Sequence, residues 1–212
     1  MAFKSSFDPK TGRIKFLVRL SYCKIFEKTA SVQGGKLAYR TNGLIDKSSE
    51  EGKLSIVAVN EAIKAMVEKE WPGKELKGFV KALKDRAPLF DGEEYVTEDG
   101  EVRDGYKNQR FVKLVSDRKI KLRSRNGQEL DEDEAKELFV SGHWAIAYGH
   151  LYAIKDKAKG GNGIFMTVDG LQFYKRDEQF AGGGMDDDEF DDLGDEDGDD
   201  LGDDDEDDDL DL

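Results

Sequence analysis

The 212-residue chain is 38% charged, carries a formal net charge of -14 and has a single cysteine, Cys23. One cysteine excludes an internal disulfide and a multi-cysteine metal centre, and no apolar run approaches the ~20 residues of a membrane helix. The charge is lopsided: 19 residues between Asp186 and Leu212 are Asp or Glu with no Lys or Arg among them, which leaves Met1 to Met185 at about +5 and suggests nucleic-acid traffic.

In chain order, Arg13 to Tyr22 alternates Ile14, Phe16, Val18, Leu20 and Tyr22 with Arg13, Lys15, Leu17, Arg19 and Ser21. This period of two predicts a strand with an apolar core face and a largely basic outer face. A second strand is predicted around Lys36 to Leu44, after Gly34-Gly35. The period then lengthens: Ile56, Val59, Ile63, Met66 and Val67 follow helical spacing between Leu54 and Trp71, and Pro72-Gly73 stops the element. A short helix through Leu76, Phe79, Val80 and Leu83 follows. The Gly-, Asp- and Glu-rich stretch Phe90 to Asp104 reads as a loop or hairpin.

Strands resume at Tyr106 to Val115 and at Lys119 to Arg125, where Lys119, Lys121, Arg123 and Arg125 share one face; Asn126-Gly127 marks a turn. A short acidic helix is expected over Asp131 to Phe139. Trp144 to Ile154 and Ile164 to Tyr174 form a long hairpin around the Lys- and Gly-rich loop 155–163. At least five strands with one helical insertion and no βαβ rhythm predict a mainly β fold, a small barrel with elaborations.

Three features carry chemistry. The tail cannot fold on so many like charges and is expected to be disordered. It is no EF-hand, because placing Gly198 or Gly202 at the sixth loop position puts Leu193 or Leu201 where oxygen ligands are required. Next, the stripes Arg13/Lys15/Arg19 and Lys119/Lys121/Arg123/Arg125 hold cations about 7 Å apart along strand faces, suited to phosphates. Last, aromatics beside cations can stack bases: Tyr106 and Phe111 among Lys107, Arg110 and Lys113, and Tyr148 and Tyr152 on the hairpin. Trp144, alternating with Ile146, fits core packing better than an open platform.

Catalytic signals are poor. His143 and His150 lie seven apart and so face opposite sides of a strand; Cys23 has no histidine partner in sequence and reads as a small buried residue. Gly160-Gly161-Asn162-Gly163 lacks a Walker lysine. No enzyme, metal or cofactor is expected.

The segment order resembles the phage single-stranded-DNA-binding proteins once catalogued only as a conserved domain of unknown function, distant relatives of an OB-folded coliphage replication protein with an acidic tail. The stretches that carry the resemblance are RLSYCKIFE (19–27), LIDK (44–47), VNEAIKAMVEKEWPGK (59–74), APLFDGEE (87–94), GYKNQRFVKLVS (105–116), FVSGHWAIAYGHLYAI (139–154) and GNGIFMTVDGLQFYKRDEQF (161–180). They span nearly the whole body in unchanged order. The resemblance implies an OB-fold that binds single-stranded DNA without chemistry, and a tail that contacts replication or recombination partners. The chain departs from the pattern at its end, where Asp211-Leu212 stands in place of the aromatic residue common to such proteins.

The expected organisation is an OB-fold-like DNA-binding domain over 1–180 and an acidic tail over 181–212. The expected DNA contacts are Arg13, Lys15, Arg19, Tyr106, Lys107, Arg110, Phe111, Lys113, Lys121, Arg123, Trp144, Tyr148 and Tyr152. The tail is expected to compete with DNA and to offer Phe190, Asp209, Leu210, Asp211 and Leu212 to protein partners. MAFKSSFDPK has no apolar leader core, which points to the cytoplasm of the bacterial host. Oligomeric state is left open, with a homodimer among the options. The rival from another class is an acidic DNA mimic that binds a basic protein.

Overall fold

The computed structural model describes residues 3–30 and 35–180, which lie within one compact unit, Met1–Gly182. A short strand β1 (Ser6–Asp8) precedes β2 (Arg13–Thr29), which runs 17 residues, well past the alternation read as ending at Tyr22. Its register against β3 (Ala38–Asp46) slips between Ser21 and Lys24, where Tyr22 takes φ +49°. A bulge of this kind reverses which side chains face the core. Ile14, Phe16, Val18 and Leu20 are fully buried as alternation requires, but Tyr22 is turned outward and 47% exposed.

Helix α1 (Glu50–Glu70) starts at Ser49, whose side chain accepts from the Gly52 N–H, and Glu50 and Glu51 complement its first-turn dipole. Its buried face, Ala58, Val59, Ala62, Ile63 and Val67, packs into the main core. Ser55 closes a gap in the sheet. β2 pairs with β1 up to Lys15 and with β3 from Arg19, and between them the Leu17 N–H donates to Ser55 Oγ at 3.2 Å. So close an approach leaves no room at the helix start, where a Cβ on Gly52 would collide with the Asp46 carbonyl oxygen. Helix propensity alone favours Gly52→Ala by about 1 kcal/mol. The collision reverses the sign, and urea unfolding should show a loss of about 1–3 kcal/mol.

After α2 (Leu76–Leu83) and one 3-10 turn, β4 (Leu89–Asp91) adds a three-residue edge strand to β5 (Gln109–Ser116). The segment between them, read as a loop or hairpin, has one isolated bridge, Val96 to Val102. Tyr106, expected at the head of a strand, sits in the turn before β5. The strand expected over Lys119 to Arg125 shortens to β6 (Lys121–Arg123), because only those residues pair with the sheet. Helix α3 (Glu132–Leu138) carries a capping box between Asp131 and Glu134. The hairpin β7 (Trp144–Ile154) and β8 (Gly163–Lys175) follows.

The barrel closes through β2, β3, β5, β8 and β7, with β7 returning to β2. In chain order that is 1-2-3-5-4-1, every pair antiparallel except β5 with β8. It is a closed five-stranded OB-type barrel, as the sequence led us to expect. On the hairpin the small residues Ala145 and Ala147 point inward and the aromatics outward. Trp144, read first as core, therefore lies half-buried on the outer surface, where its Nε1 donates to Asp177 Oδ2 at 2.6 Å.

Candidate nucleic-acid interface

Counting β2, β3, β5, β7 and β8 as barrel strands one to five, OB-folds receive oligonucleotides on the face of strands two and three, between the loops after strands one and four. In this chain that face is the outer surface of β3 and β5. The register sets Arg40 against Val115, Asn42 against Lys113 and Leu44 against Phe111. The first two pairs line an open groove of about 580 Å³, and the third lies under cover.

Tyr22, Phe90, Tyr95, Tyr152 and Phe165 line the groove, with Lys24, Arg40 and Lys113 as its cations and Asp85 as its carboxylate. Tyr152 stands opposite Phe165 across the hairpin, ring centroids 5.7 Å apart, and is 41% exposed. Lys113 Nζ sits 4.6 Å from the centroid of Phe90. The Arg103 guanidinium lies over Tyr95 at 4.9 Å and donates to Tyr22 Oη at 3.1 Å. Partial burial raises the phenols of Tyr95 and Tyr152, so both stay neutral at physiological pH. Among the described residues, the buried side-chain polar atoms without a hydrogen-bond partner are Thr29 Oγ1, Arg40 Nε and Arg103 Nε. Thr29 and Arg40 line the groove and Arg103 touches its tyrosines. Unspent donors are rare in folded proteins and cluster here.

One wall of the groove is braced from outside the barrel. Arg86, in the turn after α2, donates through Nε to Asn162 O at 3.0 Å and through Nη2 to Lys159 O at 3.0 Å and Gly161 O at 3.2 Å. Its guanidinium also lies 5.1 Å from the ring centroid of Phe165. Trp71 Nε1 donates to Asn162 Oδ1, and Lys155 pairs with Glu70 at 2.8 Å. The helical insertion thus holds the loop after β7 in place.

The expected DNA contacts divide among several places. Lys113 and Tyr152 are in the groove. Arg13, Lys121, Arg123 and Tyr148 gather in a second concavity on the outer side of β7 and β8. Tyr106 and Phe111, expected as open platforms, are 0% and 2% exposed. They pack with Leu44 beneath Phe90 and Tyr95 because the segment before β5 folds over that part of the sheet. Tyr106 Oη accepts from Asn42 Nδ2 at 2.6 Å and lies 3.2 Å from Ser21 Oγ, and burial pushes its phenol up to about 12. Arg19 is spent on the Gly142 and Glu178 carbonyls and stacks on Phe180 at 4.3 Å, while Arg110 faces Asp91 at 3.5 Å. Lys15 lies over Phe3, and Lys107 is exposed on the turn before β5. Phe190, Asp209, Leu210, Asp211 and Leu212 fall outside the described residues.

Cys23, half-buried, donates to Phe139 O at 3.3 Å, and burial raises its thiol to about 12, which disfavours the thiolate. Among the described residues no three His, Cys, Asp or Glu side chains converge as a metal site.

Comparison with known proteins assigns this architecture. The family model described as the ssDNA-binding protein of Enterobacter phage Enc34 matches residues 11–202. The chain belongs to that family. Protein p50 of Acyrthosiphon pisum secondary endosymbiont phage 1 is 27% identical over 180 residues, which make up 83% of this chain and 90% of p50. The solved single-stranded DNA-binding protein from bacteriophage Enc34 in complex with ssDNA superposes with a TM-score of 0.64 at 19% identity, covering 81% of this chain and 90% of its own. The single-stranded DNA-binding protein gp2.5 of bacteriophage T7 superposes at 0.51 and 14% identity, covering 86% and 96%. At such identities these likenesses speak for the fold alone.

Sequence reasoning missed most of the groove. Phe90 and Tyr95 sat in the Gly-, Asp- and Glu-rich stretch read as a loop or hairpin, and the bulge moved Tyr22 from the core side to the open side. Phe165 was legible: it alternates with Ile164 and Met166 in the company of Thr167 and Asp169, which marks the outer row.

Proposed function

We propose that the chain binds single-stranded DNA without sequence preference along the β3–β5 groove and acts in phage DNA replication or recombination inside the infected host. The observation that carries this reading is the coincidence of aromatics, cations and unspent donors on the one face that OB barrels use for oligonucleotides. Bases stack on Tyr152 and Phe165 and on the exposed edges of Tyr22, Phe90 and Tyr95. Lys24, Arg40 and Lys113 meet the phosphates. Binding, with no bond made or broken, is the whole of the activity.

The domain over 1–180 does the binding, and the polyanionic tail over 181–212 competes with DNA for the body's cations. Tethering gives the tail an effective concentration in the millimolar range, so weak attraction suffices. A bound strand displaces it and frees its apolar residues, Phe190 and Leu212 among them, for replication or recombination proteins. Titration with oligothymidine tests both parts. If about four phosphates are neutralised, log K falls with log[salt] at a slope of roughly -3. Deleting 186–212 tightens binding, most at low salt where screening is weak. A slope near zero rejects the electrostatic account, and unchanged affinity on deletion rejects the competition. A tail-less body that binds no single strand would instead favour the DNA-mimic reading that the net charge of -14 permits.

A further inference from the structure

The second concavity, about 630 Å³ on the outer side of β6, β7 and β8, has a chemistry different from the groove. Five fixed cations line it, Arg13, Arg118, Lys119, Lys121 and Arg123, against one lining carboxylate, Asp169, which faces His150 at 3.1 Å. Carboxylates at its rim temper some of these charges. Glu129 lies 3.0 Å from Arg123, Glu132 lies 3.5 Å from Lys119, and Asp8 stands opposite Arg13 in the β1–β2 register. Arg118 and Lys121 are exposed and form no ion pair among the described residues. The rings in the lining are few, Tyr148 with its hydroxyl on Gln172 Oε1 at 2.8 Å and His150 held against Asp169, against five cations. This surface suits phosphates and offers almost nothing to bases.

It is also continuous with the groove. Phe165 in the groove and Asp169 in the concavity belong to one outward row of β8, as do Tyr152 and Tyr148 on β7. The members of each pair lie four positions apart on the strand, about 13 Å at ~3.3 Å per residue. A single OB site of ~4–16 nucleotides covers that distance.

We infer that this basic concavity is an auxiliary backbone site, which holds the phosphates of the same DNA strand after it leaves the aromatic groove. The inference rests on the single-strand reading above and extends it. The groove contributes base stacking and a short footprint; the concavity contributes base-indifferent, salt-sensitive grip on longer strands. Affinity therefore rises with strand length in one molecule, without contact between copies.

Fluorescence anisotropy of the full chain with labelled oligothymidines of about 5 and about 20 nucleotides tests this. The double variant Arg118→Glu/Lys121→Glu should bind the longer strand at least about tenfold more weakly, with a salt slope shallower by about 1.4 for two lost phosphate contacts. The shorter strand should bind as in the wild type, and unchanged circular dichroism and melting check the fold. A second variant with the same charge change on the exposed face of α1, Lys64→Glu/Lys69→Glu, should bind both lengths as the wild type does. An unchanged affinity for the longer strand, an equal loss at both lengths, or the same loss in the α1 variant overturns the inference. A wild-type chain that binds neither length overturns the single-strand reading itself, and this extension with it.

Discussion

Phe111→Ala is expected to lower the unfolding free energy by about 3–5 kcal/mol, the range for removing a buried aromatic. Phe111 is 2% exposed and makes three ring contacts, stacked on Phe90 at 4.9 Å and packed on Tyr106 at 5.1 Å and Tyr95 at 5.2 Å. Truncation leaves a void that these neighbours cannot fill without leaving their places, and Phe90 and Tyr95 are groove walls. Single-strand affinity should therefore fall as a secondary effect of lost packing. Urea unfolding followed by circular dichroism gives the stability term and an oligothymidine titration gives the binding term. A variant that unfolds like the wild type yet binds poorly would make Phe111 a platform after all.

Tyr152→Ala should show the opposite split. Its ring is 41% exposed and touches Phe165 as its only ring partner among the described residues, so stability should change by no more than about 0.5 kcal/mol. Single-strand binding should weaken by about 1–3 kcal/mol, the range for one lost base stack, or about 5- to 150-fold. Tyr152→Phe keeps the π-face and should bind as the wild type does. Equal weakening by Ala and Phe would show that the hydroxyl carries the contact, and normal binding by both would remove Tyr152 from the site.

How far the sequence could be read depends on which physical rule governs each residue. Local periodicity decides which side of a barrel strand faces inward, and it sorted Ile14, Phe16, Val18 and Leu20 from Arg13 and Arg19 correctly. Periodicity fails at a slip in register, and Tyr22 lies on such a slip. Arg110 and Lys113 flank Phe111 in sequence and suggested an open face. Burial there is set by the segment folding back from Leu89, a contact between stretches about 20 residues apart that no local pattern encodes. The groove was hardest of all, because its residues come from β2, β3, β4, β5, β7, β8 and the loops beside them, and only barrel closure brings them together. The cationic stripes broke up: Arg13, Lys119, Lys121 and Arg123 meet in the second concavity, while Arg125 turns to the Tyr174 carbonyl and Arg19 to the Gly142 and Glu178 carbonyls.

The three carbonyls held by Arg86 bear on the thermodynamics of recognition. Fixing a mobile residue costs about 1–2 kcal/mol of backbone entropy, and a loop that first ordered around its ligand would subtract that cost from every binding event. Here the stretch from Lys159 to Asn162 is immobilised when the chain folds, by a side chain from the insertion between the second and third barrel strands. Through Arg86, which also lies 5.1 Å from the ring of the groove residue Phe165, the insertion holds that side of the groove in place, so that on the proposed reading a strand docks onto a preformed surface.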